Sequence, residues 1–111
     1  MKPEVRVDHV GPHWVVTVVG EHDISTAGGL EASLREVQQH GSDVVVDLAG
    51  ATFIDSTVVA VIVRHARLPG EQAAIVAPTG TAARRVIDRV HMDTIVAVCE
   101  TDEEAVRRLR R

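Results

Sequence analysis

Short apolar, β-branched runs alternate along this chain with stretches whose apolar residues recur every three or four positions, and that alternation points to an α/β sandwich. Val5 and Val7 share one side of the first run, with Arg6 and Asp8 on the other. The turn signal Gly11-Pro12 then leads into β-branched strand material over 14–19. The two runs read as a hairpin. Gly20 closes the second strand and leaves Glu21, His22 and Asp23 on a loop. Ser25 or Thr26 is placed to cap a helix, its side-chain oxygen accepting from the free amides of the first turn. Leu30, Leu34 and Val37 form the inner stripe of that helix, with Glu31, Arg35 and Glu36 off it. Gly28 and Gly29 weaken its first turn by up to about 1 kcal/mol each, and Gly41 ends it.

The nearly continuous apolar run over 44–48 suits a central strand covered on both faces. Gly50 punctuates the chain, and Pro69-Gly70 break it again after the segment 53–67. Residues 73–77 read as another short strand, Pro78-Thr79-Gly80 open a helix running to Val90 with Val86 and Val90 inward, and 94–98 read as the last strand. Thr101 starts a final helix with a capping box closed by Glu104. Asp102 and Glu103 lie at its positive end, and Ala105, Val106 and Leu109 mark its inner face. The chain carries no internal repeat, low-complexity segment or linker. The expectation is one α/β domain over 1–111, with a mixed sheet of four to five strands packed against about four helices.

Composition narrows the function. Trp14 and Phe53 are the only Trp, Tyr or Phe residues among 111, so the core is aliphatic and an aromatic-lined ligand pocket is disfavoured. A net charge of −4 argues against nucleic acid as the main partner. The basic cluster Arg107, Arg108, Arg110 and Arg111 compensates the dipole at the end of the acidic-started final helix. Cys99 stands alone, which rules out an internal disulfide and suggests a reducing compartment. Lys2, Glu4, Arg6 and Asp8 interrupt any signal-peptide pattern, and the longest apolar stretch, 58–63, is far too short to cross a bilayer. A cytoplasmic protein without membrane insertion is expected.

Residues 57–63 are ambiguous on their own. Five of the seven are Val or Ile and Thr57 is β-branched, which favours a strand. Asp55 and Ser56 are good capping residues directly before the run, and Arg64, His65 and Arg67 place positive charge at its far end, which favours a helix.

The segment VVVDLAGATFIDSTVVAVIV resembles the strand–turn–helix signature of STAS domains, specifically the small anti-sigma factor antagonists of bacteria. Residues 44–48 match the strand, Phe53 and Ile54 the apolar pair, and Asp55-Ser56-Thr57 the Asp-Ser-Ser/Thr triplet. Gly20-Glu21-His22-Asp23 resembles the family's Gly-Glu-x-Asp loop, at the correct spacing. Where the family has Gly-Leu-Gly after the triplet, this chain has Val58, Val59 and Ala60.

The resemblance implies a STAS-like fold with a helix over 57–63, and a partner switch. In such proteins the Ser after the motif Asp is phosphorylated by a partner that is both serine kinase and anti-sigma factor. The unphosphorylated antagonist binds that partner and frees the sigma factor, the phosphorylated form lets go, and a serine phosphatase restores it. On this reading Ser56 is the phosphoacceptor, and Asp23, Asp55, Ser56, Thr57 and Val58 form the partner contact. The domain holds no cofactor, because ATP and Mg²⁺ belong to the kinase.

Four alternatives stand beside this. Ser56 and Asp55 also read as plain helix caps. Val58 and Ala60 favour a STAS subunit that docks constitutively, without phosphorylation, on a transporter ATPase or signalling complex. Small-ligand sensing is unattractive with so few aromatics. An enzyme has little support. His9, His13, His22, His40, His65 and His91 show no metal-ligand spacing and read as scattered surface residues, Ser56 lacks a GxSxG elbow, and Gly28-Gly29 lack P-loop spacing.

Overall fold

Gly11, at φ +60, makes the tight turn that lets strand β1 (Glu4–Val10) fold back on β2 (His13–His22). A glycine with positive φ followed by a proline suits the first central position of a two-residue hairpin turn. The strands pair from Glu4↔Val19 to Val10↔His13. The computed structural model describes residues 2–40, 43–68 and 72–109, so Gly41, Pro69, Gly70, Arg110 and Arg111 lie outside the described residues.

After the hairpin, the described chain runs α1 (Ile24–Gln38), β3 (Val44–Asp47), β4 (Ala51–Ile54), α2 (Ser56–Ala66), β5 (Ala73–Val76), α3 (Ala82–Arg89), a 3₁₀ turn (Met92–Thr94), β6 (Ala97–Cys99) and α4 (Asp102–Leu109). The sheet is mixed, in the order β1-β2-β3-β5-β6, with β4 also paired to β2. Only the β1–β2 pair is antiparallel. The expected α/β class with four helices holds, and the sheet has six strands instead of four to five.

The extra strand is β4. Strand β2 is ten residues long and β3 only four, so β3 covers 14–17 of β2 and leaves the rest unpaired. Ala51–Ile54 takes up the last three residues, pairing Gly20↔Ala51, Glu21↔Phe53 and His22↔Ile54. Gly20 sits at the changeover with φ +88, and its N–H donates to Gly50 O at 3.0 Å. Nothing in Ala51-Thr52 marks a strand, because pairing and not side-chain pattern selects it.

Two apolar layers flank the sheet. Val44, Val45 and Val46 are fully buried and alternate between them. Val44 and Val46 join Val16, Val18, Leu30, Leu34, Ile62 and Ile87 on the face covered by α1, α2 and α3. Val45 joins Val15, Ala74, Val76, Cys99, Ala105 and Leu109 under α4. Trp14, at the start of β2, is stacked between His9 (4.3 Å) and His40 (4.7 Å).

Several local expectations need correction. Helix α1 is capped by Asp23, not by Ser25 or Thr26. Helix α3 starts at Ala82 with Thr81 as its cap, and Ala83 and Ile87 face inward while Val90 is exposed. The last strand begins at Ala97 instead of 94, because the 3₁₀ turn runs to Thr94, whose hydroxyl donates to the carbonyl of the left-handed His91 (φ 54) at 2.7 Å. At α4 the Glu104 amide donates to Thr101 Oγ1 at 3.1 Å, but the Glu104 carboxylate accepts from the Glu100 amide instead of closing a box on Thr101. Three of the six histidines are buried: His13, His22 and His65. Among the described residues, no helix is long and apolar enough to cross a membrane.

Asp47, at the end of β3, and Asp102, at the start of α4, bring two carboxyl groups together on the α4 side. Burial, then the contact with Asp47 and its charge, then Glu103, push the Asp102 carboxyl up to about 6. The contact between two carboxyl oxygens is a hydrogen bond only while one of them carries a proton, and without it the buried Asp102 Oδ1 has no partner among the described residues. The folded form therefore binds more protons than the unfolded chain between the ordinary value of 3.8 and about 6, so this contribution to stability is lost as the pH rises through that window. Asp102→Asn is expected to raise the thermal midpoint at about pH 7.5 and to flatten its dependence between about pH 4 and 6.5. Circular-dichroism melts across that range check this, and parallel curves for the two proteins would contradict it.

Candidate functional site

Strands β2 and β4 are parallel neighbours, and each runs directly into a helix: β2 through Asp23 into α1, β4 through Asp55 into α2. Two helix N-termini are thereby brought to the same end of the sheet, each with an aspartate as its cap. The carboxylates are close enough for the charge of Asp23 to act on Asp55.

Each cap is built locally. Asp23 Oδ1 accepts the Ser25 amide at 2.8 Å and the Ser25 hydroxyl at 2.6 Å, while the Asp23 amide donates to Thr26 Oγ1 at 3.0 Å. The Ser25 hydroxyl, then the Ser25 amide, hold the Asp23 carboxyl below its ordinary value. Asp55 Oδ1 accepts the Thr57 amide at 3.0 Å, the Val58 amide at 3.3 Å and the Thr57 hydroxyl. The Thr57 hydroxyl is the largest influence lowering the Asp55 carboxyl, opposed by burial and by Asp23. Both aspartates are therefore ionised at neutral pH.

Under the site, His22 is buried and ties β2 to α1. Its Nε2 lies 2.9 Å from Val19 O and its Nδ1 3.1 Å from Thr26 Oγ1. A carbonyl can only accept, so Nε2 donates to Val19 O. Sequence reasoning left His22 on a surface loop, and the structure makes it the last residue of β2.

The five sequence-predicted residues separate clearly. Asp23 and Ser56 are exposed, and Asp55 and Thr57 are half-buried. The Thr57 hydroxyl is committed to Asp55, whereas the Ser56 hydroxyl makes no hydrogen bond among the described residues. Ser56 is the first residue of α2 and Asp55 is its cap, so the cap reading belongs to Asp55. Val58 is a correction. It is fully buried in the aliphatic core, because the first inward position of α2 falls there, so its methyl groups do not face a partner.

Two apolar side chains complete the surface. Ile24, beside Asp23, is 76% exposed, and Phe53, paired to Glu21 two residues before Asp55, is 49% exposed. Sequence reading assigned Phe53 to a family apolar pair and gave Ile24 no role. The exposure of an Ile directly after a capping Asp is set by the helix register, which the sequence alone did not fix.

The geometry separates a structural aspartate from an uncommitted serine. Asp55→Ala removes the cap and is expected to cost about 1–2 kcal/mol, whereas Ser56→Ala is expected to stay within about 0.5 kcal/mol of the parent. Urea unfolding measures both. A large loss for Ser56→Ala would mean the hydroxyl is part of the framework.

Residues 5–97 match the family model described as Mlab, STAS domain. Among curated proteins none matches this chain. Among solved structures, an anti-sigma factor antagonist from Mycobacterium paratuberculosis superposes with a TM-score of 0.84 at 23% identity, covering 99% of this chain and 96% of that one. The antagonist SpoIIAA in its unphosphorylated form gives 0.72 at 18% identity over 96% and 98% of the two chains. The Bacillus cell fate determinant SpoIIAA in its phosphorylated form gives 0.69 at 19% identity over 96% and 100%. The likeness of fold extends over nearly the whole chain, and the sequence match covers the strands and helices that build the Asp23–Ser56 surface: this protein belongs to the STAS domain family.

Proposed function

We propose that this domain is an anti-sigma factor antagonist that binds an anti-sigma factor with serine kinase activity and is released from it when Ser56 is phosphorylated. One observation carries the reading: an exposed hydroxyl without a hydrogen bond stands next to Asp55, one of two ionised aspartate caps at the same end of the sheet, with exposed apolar side chains beside these caps. Thr57, the neighbouring candidate acceptor, has its hydroxyl engaged.

The electrostatics explain why a phosphate here would weaken a contact. Phosphorylation adds about −1.5 to −2 charges. At many helix N-termini the free amides would absorb part of that charge, but here Asp55 already takes the Thr57 and Val58 amides. A phosphate on Ser56 is therefore turned outward, toward any bound partner and beside two carboxylates. A partner surface that complements Asp23 and Asp55 and packs on Ile24 and Phe53 would have to desolvate the added charge. A 10²-fold loss of affinity, roughly 3 kcal/mol, is enough to convert a mostly bound population into a mostly free one. The fold need not rearrange.

On this reading the domain performs no chemistry itself. The kinase brings ATP and Mg²⁺, a serine phosphatase reverses the modification, and the exchange takes place in the cytoplasm. A second reading, constitutive docking on a transporter ATPase or signalling complex, rests on Val58 and Ala60 standing where the resembling family has glycine. It predicts a complex that is indifferent to ATP and to the side chain at Ser56.

Incubation with the cognate kinase and ATP is expected to add about 80 Da to the parent and nothing to Ser56→Ala. Ser56→Glu is expected to weaken kinase binding about 10²-fold, and Phe53→Ala about 10-fold, by calorimetry. An active kinase that leaves the parent mass unchanged rejects the phosphorylation switch, and a transporter ATPase that binds the parent and Ser56→Glu equally supports the second reading.

A further inference from the structure

Strand β1 lies at one edge of the sheet, with β2 as its only strand neighbour among the described residues. Which of its backbone groups face outward follows from β2. The Trp14 amide donates to Asp43 O and the Gly20 amide to Gly50 O, so the even-numbered residues of β2 point their backbone groups away from β1. Trp14, Val16 and Val18 stand opposite His9, Val7 and Val5. In an antiparallel pair these are the non-hydrogen-bonded positions, so the N–H and C=O groups of Val5, Val7 and His9 point out from the free edge.

Charge is arranged symmetrically about the middle of this edge. Arg6 and Asp8 flank Val7, and their side chains share the face opposite Val5 and Val7. Asp8 has no ion-pair partner among the described residues, and the one ion pair of Arg6 is an exposed contact with Glu4 at 3.6 Å. Edge strands are commonly guarded by charge. A guard made of like charges repels a second copy, whereas opposite charges equally spaced from a centre attract it.

We propose that β1 is a self-association edge whose partner is a second copy of this chain, paired antiparallel about a twofold axis at Val7. In that register Val7 faces Val7, Val5 faces His9, and Arg6 faces Asp8 in both directions. The outward groups of Val5, Val7 and His9 then form about six backbone hydrogen bonds across the junction. The Arg6–Asp8 pairs fall at non-hydrogen-bonded positions, where facing side chains are closest. Glu4 faces Val10, so no like charges are opposed. A twofold pairing consumes the edge in both copies, and the assembly closes at two. This goes beyond the partner switch and does not depend on it.

Charge reversal tests the register. Sedimentation velocity over a concentration series is expected to show a monomer–dimer equilibrium for the parent. Arg6→Asp places carboxylates opposite each other and Asp8→Arg places guanidiniums opposite each other, so each alone is expected to weaken self-association about 10- to 100-fold. The double variant, and an equimolar mixture of the two single variants, restore opposite charges at every pair and are expected to dimerise again. Both positions are exposed, and circular dichroism confirms that each variant is folded. A parent that stays monomeric, a dimer unaffected by either reversal, single variants that remain monomeric when mixed, or growth past two copies would each overturn the proposal.

Discussion

The length of β2 governs this molecule. A ten-residue strand cannot be satisfied by a four-residue neighbour, so the chain supplies two parallel partners in succession, with Gly20 at the changeover. Because both partners are parallel to β2, the ends of β2 and β4 coincide, and the helices that follow them start side by side. Without that double pairing the two aspartate caps would be separate features of separate helices. With it they form one acidic surface, fixed by backbone hydrogen bonds and not by side-chain placement.

A division of labour follows. The caps spend Asp23 and Asp55 on the exposed amides of two helices, and the hydroxyls of Ser25, Thr26 and Thr57 on bonds to those two cap residues. Ser56 sits among them with no such duty. Its neighbours keep the backbone rigid and the local charge negative, so a change at its hydroxyl is felt by an approaching surface more than by the protein's own fold. The deep burial of Val58 and Ile62 anchors the same helix from below.

Much of the architecture was readable because it rests on local signals. The valines of β3, the stripe of Leu30, Leu34 and Val37, and the Gly11-Pro12 turn each specify one conformation. Helix α2 was not readable from its residues: Val58, Val59, Val61 and Ile62 form its buried stripe, but the half-buried Ala60 and Val63 are apolar too and hide the period. Strand β4 was invisible for another reason: it is defined by an unpaired stretch of β2 that lies some thirty residues earlier in the chain. At the site, residue types could nominate Ser56 but could not separate it from a cap. That needed the knowledge that Asp55 already occupies the capping position.

The stacking of His9, Trp14 and His40 has a practical consequence. Trp14 is the sole indole in a chain without tyrosine. It lies at the opposite end of β2 from the residue paired with Ile54, about 25 Å away by strand rise. Its near-ultraviolet emission is thus an internal gauge of the hairpin and of the segment just after α1, where His40 stands. Events at the other pole of the strand leave that chromophore dark to them, and following them optically requires a dye placed there.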